Sequence, residues 1–328
     1  MGGSVCLSQV GPNTMQTSAV LFEQPKRIAL QSLVVADPGD GDVVVEAIWS
    51  GISAGTEKLL FEGRMPQFPG MGYPLVPGYE TVGRVISAGR DCSGELEGKL
   101  VFVPGAKGYR DAAALFGASA SRLVTSGERV IPIDNDLARN GTLLSLAATA
   151  YHALTLPGLA APDLVIGHGI VGRLTARLII AMGNKAPHVW EINPARQGGA
   201  SGYEVTTAEA TEGRKWSSVL DASGDPDILD KAIAVLARGG EITLAGFYGE
   251  TMSFRFTPAF MREAHVRIAA EFKPADVRAV LDLLASDRLS FDGLITHASS
   301  PADAAAAYQV AFGDPDCLKM ILDWRELQ

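Results

Sequence analysis

The sequence predicts an α/β protein with an antiparallel β domain at its N-terminal end and a doubly wound parallel sheet after it. Three observations support this fold class. Short β-rich stretches separated by turn residues fill the chain from Ala19 to about Pro132. Strand and helix patterns alternate after about residue 141. Gly167, Gly169 and Gly172 stand at G-x-G-x-x-G spacing between a strand pattern and a helix pattern.

Composition sets the outer limits of the function. The 328 residues suggest two domains, and 47% of them are hydrophobic, as in an ordinary globular protein. The net charge of −9 argues against a nucleic-acid partner, since phosphate binding needs a basic face. Cys6, Cys92 and Cys317 are scattered, which fits a reducing cytoplasm and gives no disulfide framework or zinc cluster. No apolar run is long enough to span a membrane, although loose membrane contact and a homodimer stay open.

The first domain is predicted to cover residues 15–140, after a disordered polar extension at residues 1–14. Its clearest strand patterns lie at residues 19–22, 43–48, 81–86 and 100–103. Residues 63–78 are too rich in glycine and proline for a regular element. Long ordered loops of this kind in compact domains are usually functional.

The second domain is predicted to cover residues 141–280, with residues 281–328 returning to the first domain. A helix pattern at residues 141–156 leads to a strand at 163–166, and further strands are predicted at residues 188–190, 219–224, 241–246 and 266–270. A helix is predicted at residues 226–237. The C-terminal pattern is helix, strand, helix, strand at residues 274–288, 294–296, 301–312 and 318–322.

The glycine motif predicts a dinucleotide site. The first glycine permits a tight turn, the second lets the backbone approach a pyrophosphate, and the third allows close helix packing. Free N–H groups at the helix start favour the phosphate charge. We therefore expect cofactor contacts from Gly167, His168, Gly169, Ile170, Val171 and Gly172, and also from Asn193, Asp221, Ala222, Gly246, Phe247 and Thr149. The alternative is an αβ turn that binds no ligand.

Glu191 ends the second strand of this unit, about 20 residues after the motif, where a carboxylate accepts the ribose hydroxyls. The same carboxylate repels a 2′-phosphate, so the prediction is NAD as cofactor. Arg196 is the opposing signal, since a nearby arginine can hold that phosphate. Alternatively, Arg196 is a solvent-exposed cation in a loop.

A β-rich front followed by this Rossmann unit resembles the medium-chain dehydrogenase/reductase superfamily, in which a GroES-like domain precedes the Rossmann domain. Residues 78–83 are similar to the G-H-E-x-x-G signature of its zinc enzymes, with Tyr79 in place of histidine. Residues 51–57 are similar to G-I-C-G-T-D, with Ser53 or Ala54 in place of cysteine, and Ser145 stands at the third ligand position. Catalytic zinc needs three nitrogen, sulfur or carboxylate ligands, so we predict that the protein holds no metal.

Residues 50–59, 63–80, 102–105 and 115–117 resemble, more closely, the bacteriochlorophyllide a dehydrogenase family. The resemblance implies a bacteriochlorophyllide substrate whose 3-(1-hydroxyethyl) group is oxidised to a 3-acetyl group, with NAD⁺ as hydride acceptor. The apolar loop would offer a wall for a flat macrocycle, and the predicted substrate-binding residues are Met65, Phe68, Met71, Tyr73 and Tyr151. The alternative is that these side chains pack the loop onto its own domain.

Oxidation without zinc needs protein groups that hold the substrate oxygen and take its proton. The resemblance places Tyr79 beside the nicotinamide and makes Thr56 the start of a proton relay, while Lys58 is expected to lower the pKa of a neighbouring phenol. Glu80 is expected to orient neighbouring side chains and not to transfer protons. His152 titrates in the right range, but a histidine in an apolar helix is more often a core residue. A zinc-free quinone or enone reductase using NAD(P)H and a non-catalytic pigment carrier stay open as alternatives.

Overall fold

The structure is a computed structural model that describes residues 15–92, 94–249 and 251–327. The predicted extension at residues 1–14 lies outside the described residues. Two mostly antiparallel sheets and one parallel sheet make up the described fold. This architecture confirms the predicted fold class.

Among the described residues up to Pro132, the chain forms nine strands and one α-helix. In chain order they are β1 (Met15–Gln24), β2 (Arg27–Val35), β3 (Asp42–Ile52), α1 (Thr56–Glu62), β4 (Leu75–Val76), β5 (Thr81–Ala88), β6 (Leu100–Val103), β7 (Ala113–Ala114), β8 (Arg122–Ser126) and β9 (Ile131–Pro132). The first two strands form an antiparallel hairpin whose register pairs Met15 with Val35. Strand β3 is the centre of the larger sheet, where it pairs antiparallel with β5 and β8.

Helix α1 was not predicted from the sequence. Its residues are mostly good helix formers, but the helix has only seven residues and therefore gives almost no periodic signal. It ends at Gly63, whose left-handed backbone (φ 70°) closes the last turn. The helix matters because it begins shortly after Ser53 and holds the side chains of Thr56, Glu57 and Lys58.

The middle of the chain forms the parallel sheet. Its elements are α2 (Leu144–Leu154), β10 (Leu164–Ile166), α3 (Ile170–Ala181), β11 (His188–Trp190), β12 (Glu204–Thr206), β13 (Trp216–Asp221), α4 (Ile228–Val235), β14 (Leu236–Leu244), α5 (Phe256–Arg262) and β15 (His265–Ile268). The strand order is β12-β11-β10-β13-β14-β15, and all neighbours are parallel. The order reverses direction between β10 and β13, and ligands of such sheets bind in the crevice at that point.

The last elements connect the two parts of the chain. They are α6 (Pro274–Ala285), β16 (His297–Ser299), α7 (Ala304–Gly313) and β17 (Met320–Asp323). Strand β17 pairs antiparallel with β3, with Met320 opposite Ile52, so the chain end completes the first domain's larger sheet. The domain boundaries at residues 140 and 280 stay predictions.

Strand β16 begins later than the predicted strand at residues 294–296. The Thr296 hydroxyl accepts the Leu318 amide N–H at 3.0 Å, and the regular pairing starts only at His297, opposite Met320. A side chain thus replaces the backbone acceptor at that point.

Within the three described segments, no helix is long and apolar enough to cross a membrane.

Candidate active site

The centre of the candidate site is a pair of hydroxyl side chains. Tyr79 lies just before β5, and its phenol donates a hydrogen bond of 2.6 Å to Ser53 Oγ at the end of β3. The Tyr79 ring also packs edge-on against Phe116, with centroids 4.9 Å apart. Ser53 is buried while Ala54 is exposed. Of the two residues aligned with the cysteine of the zinc enzymes, Ser53 is therefore the one that faces Tyr79.

The donor groups at this position do not fit a catalytic zinc. Ser53 and Tyr79 hydrogen bond to each other, and the third position is held by the buried hydroxyl of Ser145. Zinc is bound by imidazole, thiolate or carboxylate groups, and none of these three side chains offers one. Across the described residues there is no group of three or more His, Cys, Asp or Glu side chains that could hold a metal ion.

The Tyr79 phenol is held in its neutral form. Burial raises its pKa far above the usual value, and the nearby Glu80 and Glu57 carboxyls raise it further. Hydrogen bonds with Ser53 and Thr56 act in the opposite direction but do not reverse the shift. The expectation that Lys58 lowers this pKa is wrong, because Lys58 Nζ donates to the Phe312 carbonyl at 3.2 Å.

Glu80 forms a fully buried ion pair with Lys319, which lies just before β17. Lys319 Nζ also donates to the Ile52 carbonyl at 3.0 Å. Burial raises the pKa of Glu80, and Lys319 opposes that shift. A Cβ at Gly51 would lie 2.1 Å from Glu80 Oε2, so glycine is required there for the carboxylate to fit. Glu80 thus ties β3, β5 and the chain end together beside Tyr79.

Glu57 is a residue that sequence reasoning missed. Its side chain is fully buried on α1. Burial raises its pKa to about 8, with a further contribution from Glu80 and opposing ones from Tyr308 and Lys319. The Tyr308 hydroxyl interacts with this carboxyl, but among the described residues neither carboxylate oxygen forms a hydrogen bond of normal geometry. In the sequence, Glu57 is visible only as the last residue of the G-I-C-G-T-D-like stretch, where it stands at the position of the aspartate. That alignment does not indicate that the side chain is buried.

The three predicted residues on α2 use their polar groups within the protein. His152 Nδ1 lies 3.0 Å from Asp276 Oδ2, which also accepts the Lys273 N–H at the start of α6. The Thr149 hydroxyl donates to the Ser145 carbonyl at 2.9 Å. Tyr151 is half-buried against the core of the parallel-sheet domain. These contacts are structural, and roles for the three residues in the reaction stay predictions.

The predicted apolar loop is largely packed onto its own domain. Met65 is buried, and Met71 and Tyr73 pack against the same core. The Tyr73 hydroxyl donates to the Leu60 carbonyl. Phe68 differs, with 42% of its surface exposed and its ring centroid 5.9 Å from that of Phe247, which lies after β14. Phe68 and Phe247 therefore meet across the gap between the two domains.

The glycine motif has the geometry of a phosphate-binding turn. Gly167 has φ 95°, and a Cβ there would lie 2.8 Å from the Ser223 Cα. A Cβ at Gly172 would lie 1.9 Å from the Gly167 carbonyl oxygen, so helix α3 can begin here only with glycine. A Cβ at Gly169 would instead project into open space. The turn is thus open where a pyrophosphate would approach the free N–H groups at the start of α3, including those of Ile170 and Val171.

Glu191 is fixed at the end of β11, beside this turn. Its Oε2 accepts the His168 N–H at 2.9 Å, and its Oε1 accepts the Asn193 N–H at 2.8 Å. The His168 ring is buried between the Arg196 carbonyl and the Tyr203 hydroxyl, so only its backbone faces the turn. The Asn193 side chain caps the following turn by accepting from Ala195 N.

The other predicted cofactor contacts lie at the carboxyl ends of β13 and β14. Asp221 is fully buried and accepts hydrogen bonds from the Ser223 N–H and the Tyr248 hydroxyl. Ala222 N donates to the Ile166 carbonyl at 2.8 Å. The Tyr248 ring lies where a Cβ on Gly246 would point, 3.0 Å away. Tyr248, which the sequence did not single out, therefore covers this part of the crevice.

Comparisons with known proteins identify the family of this chain. The sequence model of the family described as "Zinc-binding dehydrogenase" matches residues 192–286. The chain is 52% identical over 313 residues to "2-desacetyl-2-hydroxyethyl bacteriochlorophyllide A dehydrogenase" of Rhodobacter capsulatus, covering 95% of this chain and 99% of the relative. It is 51% identical over 316 residues to the protein of the same name from Cereibacter sphaeroides, with the same two shares covered.

The fold is shared with solved alcohol dehydrogenases. A structure described as a short chain alcohol dehydrogenase from Escherichia coli CFT073, complexed with NADH, superimposes with a TM-score of 0.80 at 20% identity. The match covers 94% of this chain and 99% of that one. The near-full-length identity above 50% to the two named relatives is decisive for the family. This chain belongs to the bacteriochlorophyllide dehydrogenase family, within the medium-chain dehydrogenase/reductase superfamily.

Proposed function

We propose that the protein oxidises the hydroxyethyl side chain of a bacteriochlorophyllide to an acetyl group, using NAD⁺ and no zinc. The names of the two relatives support the substrate and the reaction. The single observation that supports the zinc-free chemistry is the Tyr79–Ser53 hydrogen bond at the position of the zinc ligands.

The hydroxyl pair can hold the substrate oxygen in both its alcohol and its carbonyl form. Tyr79 gives its hydrogen to Ser53 Oγ, which leaves the Tyr79 oxygen free to accept a hydrogen bond from the alcohol. The Ser53 hydrogen can in turn be donated to the oxygen of the ketone. When bound, the nicotinamide supplies the hydride acceptor. The pair orients the reacting group, and its neutral phenol does not store the proton.

NAD is favoured over NADP by the groups around Glu191. The carboxylate is positioned at the end of β11, where it would accept ribose hydroxyls and repel a 2′-phosphate. Arg196 is turned away, since its Nε donates to the Pro315 carbonyl at 3.2 Å. Arg173 is buried, and its guanidinium donates to three backbone carbonyls. Neither arginine is thus poised to bind a 2′-phosphate.

The facing rings of Phe68 and Phe247 support a large flat substrate. Both side chains are partly exposed and lie beside each other, so together they offer an aromatic surface that a flat ligand can cover. We propose that they contact the macrocycle at the opening between the domains. The buried Met65 would then support the loop from below and not touch the pigment.

The test is incubation with 3-hydroxyethyl bacteriochlorophyllide a and either NAD⁺ or NADP⁺. NADH absorbance and the pigment spectrum are recorded together, before and after treatment with a zinc chelator. We expect stoichiometric NADH and acetyl pigment, a strong preference for NAD⁺, and no effect of the chelator. Pigment binding without NADH would indicate a carrier, and loss of activity on chelation would refute the zinc-free mechanism.

We further propose that the protein is a homodimer joined along β15. Within the described parts of the chain, this strand is one of the two edges of the parallel sheet, the other being β12. Among the described residues, six of the ten exposed large hydrophobic side chains lie on or beside α5 and β15: Phe254, Phe256, Phe260, Met261, Val266 and Ile268. A second copy related by a twofold axis would pair the edge and cover these side chains. Sedimentation equilibrium tests the proposal, and a monomer at micromolar concentration would refute it.

A further inference from the structure

The β11–β12 loop (residues 192–203) lies against the glycine turn (residues 167–172). It contains three glycines, and its only regular structure is one short turn at Pro194–Arg196. A stretch of this composition is flexible unless other parts of the chain fix it. The loop directly follows Glu191, so its position bears on the ribose contact proposed above.

Arg173 joins this loop to the glycine turn. It lies in the first turn of α3, and only 8% of its surface is exposed. Its Nε donates to the His168 carbonyl of the turn at 3.1 Å. Its Nη2 donates to the Arg196 and Gly198 carbonyls of the loop at 3.1 and 2.7 Å. Because the planar guanidinium presents its donors at fixed angles, one side chain holds three carbonyls of two segments in a single arrangement.

The His168 ring makes a second connection between the same segments. It is fully buried, and its Nδ1 lies 2.6 Å from the Arg196 carbonyl oxygen. Since a carbonyl can only accept, Nδ1 carries the hydrogen, and Nε2 of the neutral ring is an acceptor. Nε2 then accepts the Tyr203 hydroxyl, 2.9 Å away at the end of the loop. The ring therefore ties the loop to the turn at two points.

These two connections determine how Glu191 is held. One of its carboxylate oxygens accepts the His168 N–H of the turn at 2.9 Å, and the other accepts the Asn193 N–H of the loop at 2.8 Å. The direction of the carboxylate thus depends on the turn and the loop keeping their relative positions. The Arg196 backbone is held by both connections, while its Nε donates to the Pro315 carbonyl. A fixed carboxylate and an engaged arginine both act against a 2′-phosphate.

We propose that Arg173 and His168 are positioning residues that set the preference for NAD over NADP by locking the β11–β12 loop onto the glycine turn. The inference rests on the proposed use of NAD⁺. Both residues act through Glu191, whose carboxylate is already oriented when the cofactor arrives, so little binding energy is spent on ordering the loop. If the loop is released, the carboxylate is oriented for only part of the time, and Arg196 is free to meet a 2′-phosphate.

The experiment measures the affinities for NAD⁺ and NADP⁺ by calorimetry, with the full-length wild type and the variants Arg173→Met, His168→Ala and His168→Asn. Asparagine keeps an N–H donor near the position of Nδ1. The matched control is Arg214→Met, which removes a guanidinium of the same domain that lies over the Trp216 ring, at the amino end of β13.

We expect Arg173→Met and His168→Ala to weaken NAD⁺ binding by about 10-fold, because the competent loop is then only partly populated. The ratio of NAD⁺ to NADP⁺ affinity should fall by a similar factor. KM for NAD⁺ should rise while kcat at saturating NAD⁺ changes little, since the Tyr79–Ser53 pair lies in the other domain. His168→Asn should recover the preference, and Arg214→Met should match the wild type. An unchanged affinity ratio in folded His168→Ala, which leaves the Arg173 guanidinium in place, would overturn the proposal.

Hydrogen exchange without cofactor tests the lock independently of cofactor choice. The His168 and Asn193 N–H groups donate to Glu191 and should exchange slowly in the wild type. In Arg173→Met and His168→Ala, peptides covering these two amides should exchange faster by on the order of 10-fold. A wild type that binds both cofactors equally well would refute the proposed use of NAD⁺. Equal exchange in the wild type and both variants would overturn the lock itself.

Discussion

Glu57→Gln should change the way in which the stability of the protein depends on pH. Burial raises the pKa of this carboxyl from its ordinary 4.5 to about 8. Between these pH values the folded protein keeps a proton that the unfolded chain releases, so the free energy of unfolding of the wild type falls as the pH rises. A shift of this size corresponds to about 5 kcal/mol at about 1.4 kcal/mol per pH unit. Glutamine resembles the protonated acid and does not ionise, so the variant avoids that loss.

Urea unfolding at pH 5, 6, 7 and 8.5 measures this effect directly. The free energy of unfolding of Glu57→Gln, minus that of the wild type, should increase steadily with pH and level off above about pH 8. The control Glu62→Gln removes a carboxyl from the same helix at a partly exposed position, and its difference from the wild type should change far less. A difference for Glu57→Gln that is the same at pH 5 and pH 8.5 would refute the protonated state of Glu57.

Four other changes test the site and the interface. Tyr79→Phe removes the hydroxyl that meets Ser53, and kcat should fall by about 10²–10⁴-fold with the affinity for NAD unchanged; a fall of only a few fold would show that Tyr79 merely fills space. Glu191→Ala should lower the ratio of kcat/KM for NAD to that for NADP, and an unchanged ratio would contradict ribose binding. Phe68→Ala should raise KM for the pigment and leave NAD binding unaffected, as calorimetry can check. Ile268→Lys should shift the sedimentation equilibrium towards monomer without unfolding the protein, because Ile268 is 75% exposed on the edge strand.

The parallel-sheet domain could be predicted because its signals are local. The strand before Gly167, the helix after it and the strand ending at Glu191 lie within 30 residues of one another, and each has its own hydrophobic period. The turn needs glycine for steric reasons that act at the motif itself, as the contact between Gly172 and the Gly167 carbonyl illustrates. Such features depend little on the rest of the fold.

The ion pair of Glu80 and Lys319 could not be predicted in the same way. Lys319 and Glu80 are 239 residues apart, and no motif near Lys319 marks it as the partner of a buried carboxylate. The pairing depends on β17 entering the sheet beside β3. Lys58 was misjudged for a related reason, since it is close to Ser53 in sequence but its ammonium group reaches the Phe312 carbonyl on α7 instead. Sequence proximity therefore identified the segment of the site but not the direction of its side chains.

The proposed absence of zinc and the raised pKa of Glu57 are connected through the charge balance of the site. A divalent cation beside Tyr79 would supply positive charge to balance both Glu57 and Glu80. The hydroxyls of Ser53 and Tyr79 supply none, and Lys319 is the one cation that the described structure places beside these carboxyls. Since one ammonium group can balance one carboxylate, the second carboxyl must keep its proton or leave the interior. If hydroxyls occupy the metal-ligand positions, as proposed, Glu57 is left as a buried acid beside them, and burial raises the pKa of its carboxyl to about 8.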